Sequence, residues 1–148
     1  MLNDSLGLNI AIGTDIVEIE RFRKLDANSP FYDRVFSEKE IAYCFKYSDP
    51  APHFAATYAG KEAVVKATNS NCKATMDAIE ILHTEDGAPY AVIHTKCNHD
   101  ILVSLSHSSS HAVAVALAVH QSYASKMNKA QELLEQTVKQ LLLTGEVS

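Results

Sequence analysis

The 148-residue sequence lacks both a long apolar run and a basic leader segment. Its longest clean apolar segment, AVAVALAV at 112–119, is far shorter than the roughly 20 residues that a membrane helix needs. The N-terminal segment has Asp4 and then Asp15 in place of a basic stretch, which is not typical of a signal peptide. These absences predict a cytoplasmic protein without a membrane partner.

Positive charge and paired cysteines are also scarce. The net charge of -5 argues against a general nucleic-acid binder, which needs a basic face. The three cysteines, Cys44, Cys72 and Cys97, are odd in number and form no CxxC pair. A disulfide framework is therefore not expected, and a reducing compartment fits better. The absence of GxGxxG and Walker segments removes the common glycine-rich phosphate loops.

Apolar residues make up 47% of the chain, which is enough for a packed core in one domain. The patterning predicts an α+β fold, in which a mainly antiparallel sheet is packed with helices and followed by a C-terminal helix. The predicted segments are a strand at 8–17, helices at 17–27, 37–47 and 53–68, hairpins at 77–83/90–96 and 101–107/111–119, and a helix at about 122–143. We assign residues 1–120 to the domain and 121–148 to its amphipathic extension, whose apolar stripe is Met127, Ala130, Leu134, Val138 and Leu141.

Asp15 lies on the first predicted strand, on the face that it shares with Ala11 and Gly13, because strand side chains alternate. Two interpretations stay open at this point. The small neighbours leave room for a ligand beside the carboxylate, or Asp15 caps the helix that follows.

The helix predicted at 17–27 carries a short basic cluster, Arg21, Arg23 and Lys24, within an acidic chain. Glu20 and Lys24 have the spacing of an ordinary surface ion pair. The functional alternative is a docking surface for an acidic partner.

The segment ATYAGKEAVVKAT, residues 56–68, places charges among small and apolar residues of a predicted helix. Its small residues share one stripe, so that another backbone could pack closely against Ala56, Gly60, Ala63 and Ala67. Glu62 and Lys66 are i,i+4 neighbours and could form a plain surface ion pair. Alternatively, Glu62 and Asp15 hold a Mg²⁺ ion while Lys61 and Lys66 face phosphates.

Two histidine-containing segments give weaker signals. HTKCNH at 94–99 offers His94, Cys97 and His99, but the spacing matches no usual zinc site and a fourth ligand is missing. SHSSSH at 106–111 has no nucleophile elbow. His107, at a predicted strand end, is therefore more typical of a hydrogen-bonded turn residue than of a catalyst.

Three segments together resemble the signature segments of the holo-acyl-carrier-protein synthases, the short single-domain 4′-phosphopantetheinyl transferases. They are IGTDIVEIERF at 12–22, FAATYAGKEAVVKA at 54–67 and VSLSHSSSHAVAVALA at 103–118. They occur in the family's order and approximate spacing, and the resemblance covers residues 8–119. It implies the family's fold and a reaction that transfers phosphopantetheine from coenzyme A to a serine of an apo acyl-carrier protein, releasing adenosine 3′,5′-bisphosphate.

The resemblance also implies roles for individual residues. Asp15 and Glu62 match the two family carboxylates that hold Mg²⁺, so both are expected to be catalytic. Lys66 matches the lysine near the diphosphate and is expected to be catalytic as well. Lys61 matches the lysine before the glutamate, and both lysines are expected to bind coenzyme A. His107 matches the histidine that lies near the 3′-phosphate of coenzyme A.

The resemblance further implies two kinds of protein contact. Arg21 matches the arginine that contacts the acidic carrier protein, and Lys24 lies beside it in the basic cluster. The family is typically a homotrimer with active sites between subunits.

The sequence departs from the family pattern at three places. Thr57 replaces an arginine that contacts coenzyme A, TNSNCK at 68–73 replaces a glycine-rich stretch, and Ala88 replaces a turn lysine. These departures motivate an alternative, in which the protein is a weak or inactive homologue that binds carrier proteins. A metal-dependent nucleotide hydrolase that uses the same carboxylates is a third hypothesis.

Overall fold

The computed structural model describes residues 10–70 and 72–144, with the backbone alone for residues 123–131, 141, 142 and 144. Its elements are β1 (Ile10–Glu18), α1 (Glu20–Arg23), α2 (Pro30–Val35), α3 (Glu38–Cys44), α4 (Ala51–Thr68), β2 (Ile79–His83), β3 (Pro89–Ile93), β4 (His99–His107), β5 (His111–His120) and α5 (Gln121–Thr144). A single 3-10 turn, Met76–Ala78, precedes β2. The α+β prediction is confirmed.

All strand pairs in the described residues are antiparallel. A three-stranded sheet has the order β1-β5-β4, and β2 and β3 form a separate hairpin. Asp15 of β1 pairs with Ala114 of β5, and His107 ends β4 opposite Ala112. Both predicted hairpins are therefore present, and β1 joins the edge of the second one.

The helix predicted at 17–27 is much shorter in the structure. β1 continues to Glu18, and the Ile19 N–H donates to the Ser110 carbonyl at 2.8 Å, which extends the sheet contacts past the strand end. Pro30 begins α2, and Ser29 is the N-cap of that helix. Proline is tolerated in the first turn because its missing N–H has no helical partner there.

α4 packs directly against the three-stranded sheet through small residues. A Cβ added to Gly13 would collide with the Ala63 carbonyl oxygen and lie 2.7 Å from the Ala67 nitrogen. The facing positions of β5 are buried alanines, namely Ala112, Ala114, Ala116 and Ala118. The small-residue faces thus serve contacts within the chain, and the space that we expected beside Asp15 at Gly13 is filled by α4.

The opposite face of this sheet is exposed in the single chain. Ile12, Ile16 and Leu102 are 66%, 65% and 63% exposed, and Val113 and Val115 are also exposed. The prediction of a buried β1 strand is therefore wrong for one of its two faces. Such a broad apolar face on a monomer typically marks an interaction surface.

The predicted C-terminal helix is present as α5. Leu134 and Val138 of its predicted apolar stripe are exposed, as are Leu133 and Leu143. The side chains of Met127, Ala130 and Leu141 lie outside the described residues. Within the described part of the chain, no helix is both long enough and apolar enough to cross a membrane.

Candidate active site

A cleft of about 390 Å³ lies where the end of β1 meets α1 and the middle of α4. Its lining residues are Asp15, Ile16, Val17, Glu18, Arg21, Tyr58 and Glu62. Strand alternation turns the Asp15 side chain towards α4, and the helix presents Glu62 on the stripe that reaches the cleft. Two carboxylates that are 47 positions apart in the sequence, Asp15 and Glu62, therefore line one cleft.

Lys66 bonds to Asp15 at this cleft. Its ammonium donates to Asp15 Oδ1 at 2.8 Å and to the Thr14 carbonyl oxygen at 2.8 Å. Asp15 does not cap α1, whose N-cap residue is Ile19. The hydrogen bond with Asp15 raises the pKa of Lys66, and the nearby Glu62 charge acts in the same direction. Lys66 is therefore held as a cation, which suits it to neutralise anionic oxygens rather than to accept a proton.

The donor set of the cleft fits a hard divalent cation. Asp15 and Glu62 offer only carboxylate oxygens, and Lys66 engages one oxygen of Asp15. Mg²⁺ prefers such oxygen ligands, and it usually binds one or two carboxylates together with waters and substrate phosphates. The cleft is wide enough to admit those additional ligands.

Arg21 lies at the side of the cleft with its guanidinium over two aromatic rings. The Arg21 Cζ is 5.0 Å from the centroid of Tyr58 and 5.8 Å from that of Phe31. Stacking of this kind restricts the side chain while it leaves the donors of the guanidinium in water. Arg21 therefore presents a positive charge at the rim.

The rest of the basic cluster divides into two parts. Arg23 donates to Asp49 at 2.7 Å and lies 3.7 Å from Glu20. The hydrogen bond with Arg23 lowers the pKa of Asp49. Glu20 thus pairs with Arg23, whereas Lys24 is exposed. Arg21 and Lys24 therefore carry exposed positive charges, whereas Arg23 is engaged by Asp49 and Glu20.

Lys61 is placed differently from its prediction. Its side chain is 1% exposed, and Nζ donates to Glu40 Oε2 at 2.8 Å in the core. Glu40 also accepts hydrogen bonds from the backbone N–H groups of Ser37 and Ile81. A buried ammonium in this pair does not reach the cleft, so the assignment of Lys61 to phosphate binding is wrong. The pair instead joins α4 to α3 and β2.

We expect Lys61→Met to lower the free energy of unfolding by about 3–5 kcal/mol, because it leaves the buried Glu40 charge without its partner. Urea denaturation monitored by circular dichroism measures this change. The double variant Lys61→Met/Glu40→Gln is the control and should be more stable than Lys61→Met. A single variant as stable as the wild type would contradict this role.

His107 lies outside the cleft lining of its own chain. Its ring centroid is 6.0 Å from that of His53, which stacks on Tyr47 at 3.5 Å. Burial, and then the charge of His107, lower the pKa of His53. The contact between Tyr47, His53 and His107 could not be predicted, because the three residues come from separate segments of the sequence. Within a single chain, His107 therefore does not line the cleft that contains Asp15 and Glu62.

A second aromatic pair lies on the neighbouring hairpin. His83 stacks on Tyr43 with ring centroids 4.0 Å apart. Both residues line a concavity of about 260 Å³, together with Lys39, Ile81, Leu82 and Tyr90. Burial, and then the charge of His53, lower the pKa of His83. This surface suits a planar aromatic group.

Thr57, the position where the family has an arginine, is buried in α4. Its hydroxyl donates to the His53 carbonyl at 2.8 Å and lies 3.8 Å from Cys44 Sγ. Burial raises the pKa of the Cys44 thiol to about 12. Thr57 therefore fills a core position and does not line the cleft.

The cysteines contradict the expectation from their spacing. Cys72 and Cys97 form a disulfide across 25 residues of sequence, and it links the turn after α4 to the β3–β4 connection. Spacing could not predict this pair, because it is made by the folding of the β2–β3 hairpin between them. His94 points elsewhere, since its Nε2 lies 3.2 Å from Glu80.

Comparison with known proteins shows the family of this chain. Residues 11–118 match the model of the 4′-phosphopantetheinyl transferase superfamily. A holo-[acyl-carrier-protein] synthase from Thermodesulfovibrio yellowstonii is 40% identical over 105 residues, which are 70% of this chain and 92% of that protein. A protein of the same name from Clostridium botulinum is 40% identical over 116 residues, covering 72% of this chain and 94% of the relative.

Solved structures show the same fold. The crystal structure of a holo-(acyl-carrier-protein) synthase from Bacillus anthracis in complex with CoA (3',5'-ADP) has a TM-score of 0.64 and 28% identity, covering 74% of this chain and 96% of that one. The Helicobacter pylori holo-[acyl-carrier-protein] synthase in complex with coenzyme A has a TM-score of 0.64 and 28% identity, covering 72% and 98%. The chain belongs to the 4′-phosphopantetheinyl transferase superfamily.

Proposed function

We propose that this protein is a holo-[acyl-carrier-protein] synthase, which transfers the 4′-phosphopantetheine group of coenzyme A to a serine of an apo acyl-carrier protein. The observation that carries the proposal is the cleft, in which Asp15 and Glu62 lie together and Lys66 bonds to Asp15. The curated relatives at 40% identity are named for this activity. The proposed co-product is adenosine 3′,5′-bisphosphate.

The chemistry requires charge neutralisation more than covalent help from the protein. Asp15 and Glu62 would hold Mg²⁺, which when bound supplies positive charge to the diphosphate oxygens. Lys66 keeps its proton because of Asp15, and it would offset the negative charge that develops on the departing phosphate. The raised pKa of Lys66 disfavours it as the base, so Glu62 or a water that it orients is assigned to accept the serine proton.

Incubation of the full chain with coenzyme A, Mg²⁺ and a panel of apo carrier proteins tests this function. We expect a phosphopantetheine mass increase on at least one fatty-acid or polyketide carrier, detected by intact-protein mass spectrometry. No mass change on any carrier, with a known synthase as the positive control, would contradict the proposal.

A carrier-binding module without catalysis is the second candidate, and Thr57 is the observation that favours it. A buried threonine at this position supplies no positive charge to coenzyme A. This candidate predicts carrier binding that survives Glu62→Ala, with no turnover by either form. The panel experiment distinguishes the two functions.

The charged rim would dock the carrier through Arg21 and Lys24, because carrier proteins of this class are acidic. Arg21→Glu is expected to raise the KM for the carrier by about tenfold or more, since it replaces attraction by repulsion at the contact. The KM for coenzyme A should be unchanged. Steady-state kinetics with each substrate varied in turn measure both constants.

Lys96→Glu is the matched control for Arg21→Glu, because it makes the same charge change at an exposed residue on the β3–β4 connection. It should leave both constants unchanged. An equal increase of both KM values in Arg21→Glu would contradict the docking role.

We propose that the active assembly is a homotrimer formed through the exposed apolar sheet face. That face displays Ile12, Ile16 and Leu102 to solvent in the single chain. Burial of an apolar surface of this kind between chains is strongly favourable. An assembly of this kind could also bring His107 of one chain towards the carboxylate cleft of its neighbour, where it would bind a phosphate of coenzyme A.

Sedimentation-velocity centrifugation is expected to give a species of three times the chain mass. The double variant Ile12→Glu/Ile16→Glu should sediment as a monomer, because two charges on this face cannot be buried together without large cost. Leu133→Glu on α5 is the control, and it should leave the assembly intact. A double variant that keeps the wild-type mass would contradict this interface.

A further inference from the structure

Three side chains that can bind a metal lie close together beyond the C-terminal end of α4. Cys72, Cys97 and His99 each offer one ligand atom, and these atoms all lie within 4.8 Å of one another. All three residues are half-buried. Cys72 comes from the turn after α4, and the other two come from the β3–β4 connection and the start of β4. The fold thus brings together three residues whose spacing in the sequence does not predict a metal site.

Strong hydrogen bonds do not account for the position of the His99 ring. Its Nδ1 contacts Cys72 Sγ at 3.7 Å, and sulfur is a weak partner. Its Nε2 is buried and, within the described part of the chain, has no hydrogen-bond partner. The His120 ring packs edge-on against it, with centroids 5.0 Å apart. A half-buried imidazole that is held beside two sulfurs is typical of a ligand set.

The spacing of Cys72 Sγ and His99 Nδ1 suits a tetrahedral zinc ion, and reduction of the disulfide would free the two sulfurs to move apart. Zinc binds sulfur at about 2.3 Å and imidazole nitrogen at about 2.0–2.1 Å, so the two ligand atoms lie about 3.6 Å apart in a tetrahedral site. The observed distance between Cys72 Sγ and His99 Nδ1 is 3.7 Å. Thiolate and imidazole ligands favour zinc over Mg²⁺, which prefers oxygen. With the cysteines reduced, the cluster would therefore favour zinc, whereas the carboxylate cleft would favour Mg²⁺.

We propose that Cys72, Cys97 and His99 form a zinc site when the disulfide between the two cysteines is reduced. A phosphine reductant supplies the two electrons that break the S–S bond. The phosphorus takes the oxygen atom of one water molecule and becomes a phosphine oxide. The two protons of that water convert the two sulfurs to thiols. Zn²⁺ then binds the two thiolates and His99, and the two thiol protons pass to solvent. A water molecule completes the four ligands.

Metal titration of the full chain in its two redox states tests this site. We expect the phosphine-reduced chain to bind one equivalent of Co²⁺ with a thiolate charge-transfer absorption that Zn²⁺ abolishes. The disulfide form should show no such band. Competition with a chromophoric chelator gives the zinc affinity, and Cys97→Ser and His99→Ala should each weaken it by about 100-fold or more.

Two variants serve as matched controls for these substitutions. Cys44→Ala removes the buried third cysteine, and His94→Ala removes the histidine that pairs with Glu80. Both should keep the wild-type zinc affinity. Circular dichroism checks the fold of every variant, with the reduced wild type as the reference because it also lacks the disulfide. Zinc should raise the Tm of the reduced wild type and leave that of Cys97→Ser unchanged.

Three results would overturn the proposal. The first is a zinc affinity that is equal in the reduced and disulfide forms and is lost in Glu62→Gln, which would assign the metal to the carboxylate cleft. The second is wild-type affinity in Cys97→Ser or His99→Ala. The third is a reduced chain in which zinc neither raises the Tm nor binds with a thiolate band in the cobalt form.

Discussion

Glu62→Gln is expected to lower kcat/KM for phosphopantetheine transfer by about 100- to 1000-fold, the size of effect seen when one electrostatic group is removed from an active site. Glutamine preserves the size of the side chain but removes its charge, so that the cleft loses one of its three lining carboxylates, Asp15, Glu18 and Glu62. Intact-protein mass spectrometry of the carrier measures the rate. The same assay over a range of Mg²⁺ concentrations should show a weaker dependence on the metal.

Asp15→Asn should cause a loss of similar size, and the double variant should lose little more than either single variant, because groups that act as a unit are not additive. Glu85→Gln is the matched control, since Glu85 is an exposed residue in the β2–β3 turn. It should keep wild-type activity. A Glu62→Gln protein that retains more than half of the wild-type kcat/KM would remove this residue from the catalytic group.

Gly13→Ala is expected to destabilise the fold by about 3 kcal/mol or more, at the upper end of the cost of overpacking a core. The added Cβ would collide with backbone atoms of α4 at Ala63 and Ala67. Backbone cannot rotate away as a side chain can, so the whole helix would have to move off the sheet. For a chain of this length, the Tm should fall by about 10 °C, as measured by scanning calorimetry.

Gly60→Ala is the matched control for Gly13→Ala, because it adds the same methyl group within the same helix–sheet contact. Its Cβ would meet Leu105 Cδ2 at 3.0 Å and Ile81 Cγ1 at 3.2 Å, which are side-chain atoms that can shift. The higher helix propensity of alanine, worth about 1 kcal/mol, offsets part of that cost. Equal losses in the two variants would contradict the view that backbone contact at Gly13 sets the helix position.

Local sequence patterns predicted most of the secondary structure. Ser37 and Glu40 form a capping box at the start of α3, a local pattern whose donors and acceptors lie within one helical turn. The central helix was predicted near 53–68 and spans Ala51–Thr68. The helix predicted at 17–27 was wrong at both ends, since pairing with β5 extends β1 to Glu18 and α1 ends at Arg23. Nothing in that local segment reveals its distant partner strand.

The site was predictable only in part for the same reason. Helical and strand periodicity places Glu62 and Asp15 on definite faces, and the fold brings those faces to one cleft. Periodicity could not tell that Lys66 bonds to Asp15 instead of Glu62. Nor could it tell that Lys61 is covered by Glu40, which lies 21 positions away on α3. Which element covers a helix face is decided by long-range packing.

The sequence by itself determined the α+β class, the order of the main elements and the family, because these depend on periodicity and on three ordered motifs. Only the tertiary structure decided which charges meet, which lysine is buried and which cysteines pair. Cys72 and Cys97 are separated by the β2–β3 hairpin, and the folding of that hairpin brings them together. Contacts between residues so far apart in the sequence form when whole helices and strands pack together. The spacing of residues within a local segment does not predict such contacts.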